Sequence, residues 1–187
     1  MMDQEKVQEL IGRSRQGDVK AFSLLVSAFQ PLVFRLAFRL LCDEDEAKDM
    51  VQETFVKVWL ALDKYDAKAR FSTWLYKITC NTCYDRLRSL RHSPLDNEAD
   101  YACPTTILSD DNIELTVANR QLKELILKYT GELSPRQRLI FTLRDIEELD
   151  VSEVQTITGL SAGIIKSTLY LARKRIRDKM NQIDVDV

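Results

Sequence analysis

Apolar residues recur three and four positions apart through almost the whole chain, the period of helices that bury one face. Asp3 is placed to cap a short helix ending near Gly17, and Asp18 to cap the next. Pro31 either kinks that second helix or starts a new one through the apolar run at 32–41. Asp43 followed by Glu46 gives a capping-box-like start to a long helix through Leu62, with Val51, Phe55, Val58 and Leu62 as its buried stripe. After a polar loop at 63–70, Ser72 is placed to cap a helix running to about His92.

The pattern then breaks. From Ser93 to Glu114 there is no Lys or Arg, while Asp96, Glu98, Asp100, Asp110, Asp111 and Glu114 are acidic and Pro94 and Pro104 interrupt any helix. This reads as a linker, and its composition suits a solvated loop as well as a functional segment. Helical spacing resumes near Ile113. Ser134 and Pro135 are placed as cap and first residue of a helix to about Glu147. A short helix from about Ser152, a turn at Gly159–Ser161 and a longer helix to about Met180 form a helix-turn-helix candidate. The expected fold is all-α: two small helical domains, 1–92 and 113–187, joined by an acidic linker at 93–112.

Composition narrows the class. With 45% hydrophobic and 30% charged residues the chain reads as globular and soluble, and five Gly and four Pro are too few for a turn-rich β fold. No signal peptide is evident and no apolar run approaches the roughly 20 residues of a membrane span, so a membrane protein is not expected. Four cysteines in such a chain imply reduced thiols in a cytoplasm.

The net charge of −2 hides an uneven distribution. On a helix over 162–180, Ile165, Leu169, Ala172 and Ile176 make the core stripe, and Lys166, Ser167, Tyr170, Arg173, Lys174 and Arg177 face away. A cationic helix face suits a polyanion, because each neutralised phosphate releases condensed counterions. The start of the second helix of such a motif contacts base edges. That assigns Ala162, Gly163, Lys166, Ser167 and Tyr170 to reading, and Arg173, Lys174 and Arg177 to phosphates.

On the helix at 71–91, Phe71, Leu75, Ile78 and Thr82 form the core side, while Lys77, Asn81, Tyr84 and Arg88 share another, with Trp74 at its edge. Cations interleaved with aromatics suit single-stranded nucleic acid, and Asn81 can donate and accept at a base edge. Cys80 and Cys83 lie on a third flank near Tyr76 and Leu87. A structural zinc site takes four ligands, and only the isolated Cys42, Cys103 and His92 remain to complete one. A redox dithiol belongs at a helix N-terminus after a strand, and this pair is mid-helix. Small buried or half-buried thiols are the expectation, with no metal or cofactor. In the helix before, Glu46, Asp49, Gln52 and Glu53 oppose the core stripe. That acidic face suits solvent, acid–base chemistry or a basic partner helix, and composition does not choose.

Taken in order, "DEAKDMVQETFVKVW", "FSTWLYKITCNTCYDRLR" and "LSPRQRLIFTLRDIEELDVSEVQTITGLSAGIIKSTLYLARKRIR" resemble the sigma-70 family, in particular the extracytoplasmic-function (group 4) sigma factors. The resemblance makes residues 20–92 similar to sigma region 2 and 113–180 similar to sigma region 4. It implies a non-enzymatic promoter-specificity subunit for core RNA polymerase. By the same resemblance Asp49, Gln52 and Glu53 dock on the β′ clamp helices, and Trp74, Lys77, Asn81, Tyr84 and Arg88 capture the melted −10 element. The second domain reads −35 DNA and rests on the β flap, the acidic segment threads the polymerase channels, and an anti-sigma factor holds the protein inactive. Many relatives carry Arg where this chain has Thr168 and Leu171, and often Ala at the position of Gln155.

Overall fold

The computed structural model describes residues 2–90 and 129–183, and every regular element among them is helical. The expectations for the linker, for His92 and Cys103, and for the helix resuming near Ile113 lie outside the described residues. Helix α1 spans Gln4–Arg15, α2 Val19–Leu41, α3 Glu44–Ala61 and α4 Phe71–Leu90. A 3-10 turn, Leu62–Lys64, follows α3.

The caps explain most boundaries and correct two. Asp18 accepts from the Ala21 amide at 3.0 Å and starts α2. Asp3 stands at the N-cap of α1, but its side chain makes no capping bond. Ser72 does not cap α4, because the helix already begins at Phe71 and the Arg70 carbonyl accepts its first bond, from Trp74. Pro31 lies inside α2, which runs on without a new start and ends at Cys42 in the left-handed region, φ 59°. Asp43 accepts from the Glu46 amide at 2.9 Å, but the Glu46 carboxylate does not return to close the box. It reaches α4 instead, with both oxygens on Arg86 at 2.5 and 2.6 Å.

Helix α2 is long and apolar enough to cross a membrane, at a mean hydropathy of 1.6, contrary to the expectation that no run comes close. Here it is the central helix of a bundle with α1, α3 and α4, and Leu25, Val33, Leu36 and Ala37 are fully buried. A first core joins Leu10, Ile11, Leu25, Val58, Phe71 and Leu75, and includes the whole foreseen stripe of α3.

In the second domain α5 spans Pro135–Phe141, α6 Val151–Thr158 and α7 Ala162–Ile183. Ser134 and Gln137 form a reciprocal capping box with Pro135 at the first position. Thr142–Ile146 continue α5 in wider π turns. Helix α6 starts one residue earlier than expected, capped by Asp150 with Glu153 returning to the Asp150 amide at 3.0 Å. Gly159 ends it in the left-handed region, φ 72°, a conformation glycine adopts without a Cβ penalty.

The two domains are not separately cored. A second apolar cluster runs from Leu36–Leu41 of α2 through Tyr76, Cys80, Cys83 and Leu87 of α4 into Leu139, Ile140, Leu143, Val154, Ile157 and Ile165. The thiol-bearing flank of α4 is therefore a second buried face, pressed against the helix-turn-helix domain. Each large apolar side chain buried there contributes about 1.5–3 kcal/mol.

Candidate nucleic-acid and polymerase interfaces

Helix α4 is buried on two sides, so only a strip remains. Lys77, Asn81 and Arg88 are exposed along it. Trp74 is half-buried, its ring 5.2 Å from that of Tyr65 and 5.7 Å from that of Phe71. Tyr65 is anchored in turn, donating to the Ala69 carbonyl at 2.7 Å. The aromatic edge thus has a rigid backing. Tyr84 is less available than its spacing predicts: it is half-buried, and its hydroxyl donates to the Pro135 carbonyl at 3.1 Å.

Asn81, Tyr84 and Arg88 line one wall of a cleft of about 470 Å3. Its opposite wall comes from the second domain, with Arg136, Leu139, Ile157, Thr158 and Leu160. Spacing within one helix could not show this second wall, because it depends on how the domains dock.

The strongest polar contacts between the domains were also not foreseen. Arg138 is only 1% exposed. It donates to the carbonyls of Thr130, Gly131 and Leu133 in its own domain, and across to the Leu40 carbonyl at 2.9 Å and the Cys42 sulfur at 3.2 Å. Glu147 accepts from the Tyr76 hydroxyl at 2.6 Å and forms an ion pair with Arg39. Burial holds the Arg39 guanidinium below its usual range against the pull of Glu147. Burial first, and the Glu147 hydrogen bond second, push the Tyr76 phenol up. The sequence signal was faint: a cation between Ser134 and Leu139 in a helix that is otherwise apolar on its inner side.

Cys42, Cys80 and Cys83 are buried cysteines, each still a thiol. Burial pushes Cys80 well up and Cys83 up to about 12, so neither is a thiolate near neutral pH. Among the described residues no three His, Cys, Asp or Glu groups stand close enough to hold a metal ion.

On α3, Asp49, Gln52 and Glu53 are exposed together, with Glu53 paired to Lys57 at 2.7 Å. Glu46 is drawn off this face by Arg86, whose hydrogen bonds hold its carboxyl below the usual range. Val56 (58% exposed) and Leu60 (75%) continue the face, an apolar extension that the acidic pattern alone did not suggest.

Helix α7 projects outward. Ile165, Leu169 and Ala172 are buried and Ile176 is half-buried, as the stripe predicts. Gly163, Lys166, Ser167, Tyr170, Arg173, Lys174 and Arg177 are exposed, and Ala162 is partly so. Two of these have prior engagements. The Ser167 hydroxyl donates to the Ile164 carbonyl at 3.1 Å, and Arg173 grips Asp145 with two bonds at 2.8 and 2.6 Å. Thr168 is buried and Leu171 exposed, so the departure from Arg leaves one inward hydroxyl and one outward apolar side chain. Gln155 is exposed on α6, where its bulk meets solvent.

Comparison with known proteins matches the description Sigma-70 region 2 to residues 25–93 and Sigma-70, region 4 to residues 123–176. The chain is 30% identical over 182 residues to the RNA polymerase sigma-H factor of Pseudomonas aeruginosa, covering 94% of each chain. It is 27% identical to the ECF RNA polymerase sigma factor SigW of Bacillus subtilis, over 95% of this chain and 98% of the other. Among solved structures it is similar to the sigma factor RpoE of Bartonella quintana, determined in complex with the anti-sigma factor NepR. That match has a TM-score of 0.68 and 25% identity, over 88% of this chain and 97% of the other.

Proposed function

The chain belongs to the sigma-70 family, as an RNA polymerase sigma factor of the extracytoplasmic-function type, and on that premise we propose which of its surfaces does what. Residues 1–92 bind core polymerase and open the −10 element, residues 113–187 read the −35 element, and 93–112 join them. The protein performs no bond-making of its own. It works in the cytoplasm by lending recognition to the polymerase, which carries out phosphodiester synthesis.

The observation that carries this reading is the separation of three faces of different chemistry. The acidic face of Asp49, Gln52 and Glu53, extended by Val56 and Leu60, fits a basic, partly apolar partner such as the β′ clamp helices. The strip of Trp74, Lys77, Asn81, Tyr84 and Arg88 fits unpaired −10 bases. Stacking one base on an aromatic contributes about 1–3 kcal/mol, enough to offset a lost DNA stacking step of about 1.4 kcal/mol. The protruding start of α7 fits the major groove, with Ala162, Gly163, Lys166, Ser167 and Tyr170 at base edges and Arg173, Lys174 and Arg177 on phosphates. The β flap then supports the second domain. The Bartonella relative's complex supports a further partner, an anti-sigma factor that covers some of these faces when transcription is not required.

Run-off transcription with core polymerase over a promoter library tests the reading. Addition of the protein should activate a defined subset of promoters. No active promoter and no complex with core would end it.

A further inference from the structure

We propose that Ile164 and Leu171 of α7 form a methyl-reading edge that packs on thymine C5-methyl groups of the −35 duplex. This rests on the reading of α7 as the duplex-binding helix, and it adds the base class taken by the helix's apolar side. Ile164 is 44% exposed and Leu171 51%, and neither belongs to the buried stripe of Ile165, Leu169 and Ala172. With Tyr170 they make three of the eight large apolar side chains left exposed among the described residues. All three fall between 164 and 171 of one helix, which is a cluster and not the scattered singles of an ordinary surface.

Successive helical residues turn by about 100°, so Ile164 and Leu171 lie within about 20° of each other and about 10.5 Å apart along the axis. Lys166 stands about 160° round from Ile164, with Ser167 between them. The outward face therefore has two shoulders, a cationic one through Lys166, Arg173 and Arg177 and an apolar one through Ile164 and Leu171. The apolar shoulder is held at its start. The Ile164 amide donates to the Ser161 hydroxyl at 3.4 Å, and the Ile164 carbonyl accepts from the Ser167 hydroxyl at 3.1 Å. That second bond commits the one hydrogen of Ser167 to its own helix, leaving an acceptor there but no donor. Ile164 is also stiff at χ1, so it loses little rotamer freedom when it packs.

Thymine is the base whose major-groove edge offers a methyl group; the other groups displayed there are hydrogen-bond donors and acceptors. An apolar side chain laid on those strips water from them and returns no bond, which is unfavourable, whereas on a methyl it gains buried area. The apolar shoulder therefore favours thymine and disfavours a base that presents an amine in its place. Two helical turns span about three base-pair steps of 3.4 Å, so Ile164 and Leu171 reach thymines about three steps apart. The cationic shoulder makes the opposite demand, since a lysine such as Lys166 suits guanine O6 and N7. One helix thus reads two base classes from its two sides.

The test uses holoenzyme assembled from core polymerase and the unaltered full-length chain, with a promoter found active in run-off transcription. Each thymine on either strand of its −35 element is replaced in turn by deoxyuridine, which pairs alike and lacks only the methyl. Competition between each substituted promoter and its parent should show binding weaker by about fourfold at one or two thymines, the factor one buried methyl carries. Where two respond, they should lie about three steps apart. Ile164→Ala should abolish the difference between thymine and deoxyuridine at one of them, and Leu171→Ala at the other. Ile164→Val, which keeps a branched apolar side chain, should preserve it. Lys166→Ala should weaken binding to both promoters and leave the difference in place. A −35 element with no deoxyuridine-sensitive thymine overturns the methyl-reading edge, and this arm needs no variant to fold. Sensitivity that survives both alanine variants overturns it as well. Failure of every promoter in run-off, with no complex with core, would instead defeat the sigma reading, whereas active promoters without a methyl effect defeat this inference alone.

Discussion

Helices α4 and α7 are alike in length, 20 and 22 residues, and each carries a face proposed for nucleic acid, yet they are set in the molecule in opposite ways. Helix α7 buries one stripe at its N-terminal half and is largely open beyond it. Helix α4 buries Leu75 and Thr79 in one direction and Tyr76, Cys80 and Leu87 in another, leaving a strip. The proposed ligands account for the difference. A major groove about 12 Å wide admits a whole helix, so a duplex reader must protrude. An unpaired base needs a stiff wall to stack on, so a single-strand reader gains from being embedded. The cost is that an embedded strip shares its neighbours with the rest of the protein, and here one neighbour is the other domain.

The largest expected effect breaks the comparison at that shared wall. Arg138→Met removes the buried guanidinium that links both domains and takes its hydrogen bonds from the carbonyls of Leu40, Gly131 and Leu133. Leaving buried carbonyls without a hydrogen bond costs about 1–3 kcal/mol. Urea unfolding followed by circular dichroism should show a drop of that size. A change under 1 kcal/mol would mean that the domain contact depends on apolar packing alone.

Next in size are two substitutions that should separate the helices functionally. Asn81→Ala should impair promoter opening by roughly tenfold or more, the scale of a lost base-edge contact, and leave binding to an isolated −35 duplex intact. Lys166→Ala should do the reverse, weakening the −35 duplex and relaxing its base preference. Permanganate footprinting of opened promoters and duplex anisotropy read the two arms. Equal losses in both assays for either variant would refute the division of labour between α4 and α7.

Much of this was legible before any coordinates. The stripes of α3 and α7, the Ser134–Pro135 start, the Gly159 turn and the burial of Cys80 and Cys83 all follow from local spacing, because period and capping are decided within a few residues. The misses share a different origin. Asp3 and Ser72 have capping chemistry but not the capping bond: the Asp3 carbonyl starts α1 while its side chain stays unused, and α4 begins one residue before Ser72. Glu46 was expected to serve its own helix and instead serves Arg86, 40 residues away. Arg138 and Glu147 look like ordinary surface charges in sequence and become the polar centre of a domain contact. Side chains whose partners lie beyond their own element leave no periodic trace, and the α4 cleft, walled by both domains, leaves none either.

The smallest expected effect concerns how far α7 is as open as it appears. Arg173 is already held by Asp145, so a phosphate must win it from a carboxylate. The hydrogen bonds to Asp145 keep the Arg173 guanidinium firmly charged, and the pair is partly exposed, so its contribution to stability is slight. Asp145→Asn should leave the fold intact and free the guanidinium for DNA. Nonspecific duplex binding should then strengthen by a few-fold, with the slope of log affinity against log salt steeper by about one, the signature of one more phosphate neutralised. Arg173→Ala in the same background should remove the added slope. If Asp145→Asn leaves the slope unchanged, Arg173 serves to brace α7 against the π turn, and the phosphate contacts fall to Lys174 and Arg177.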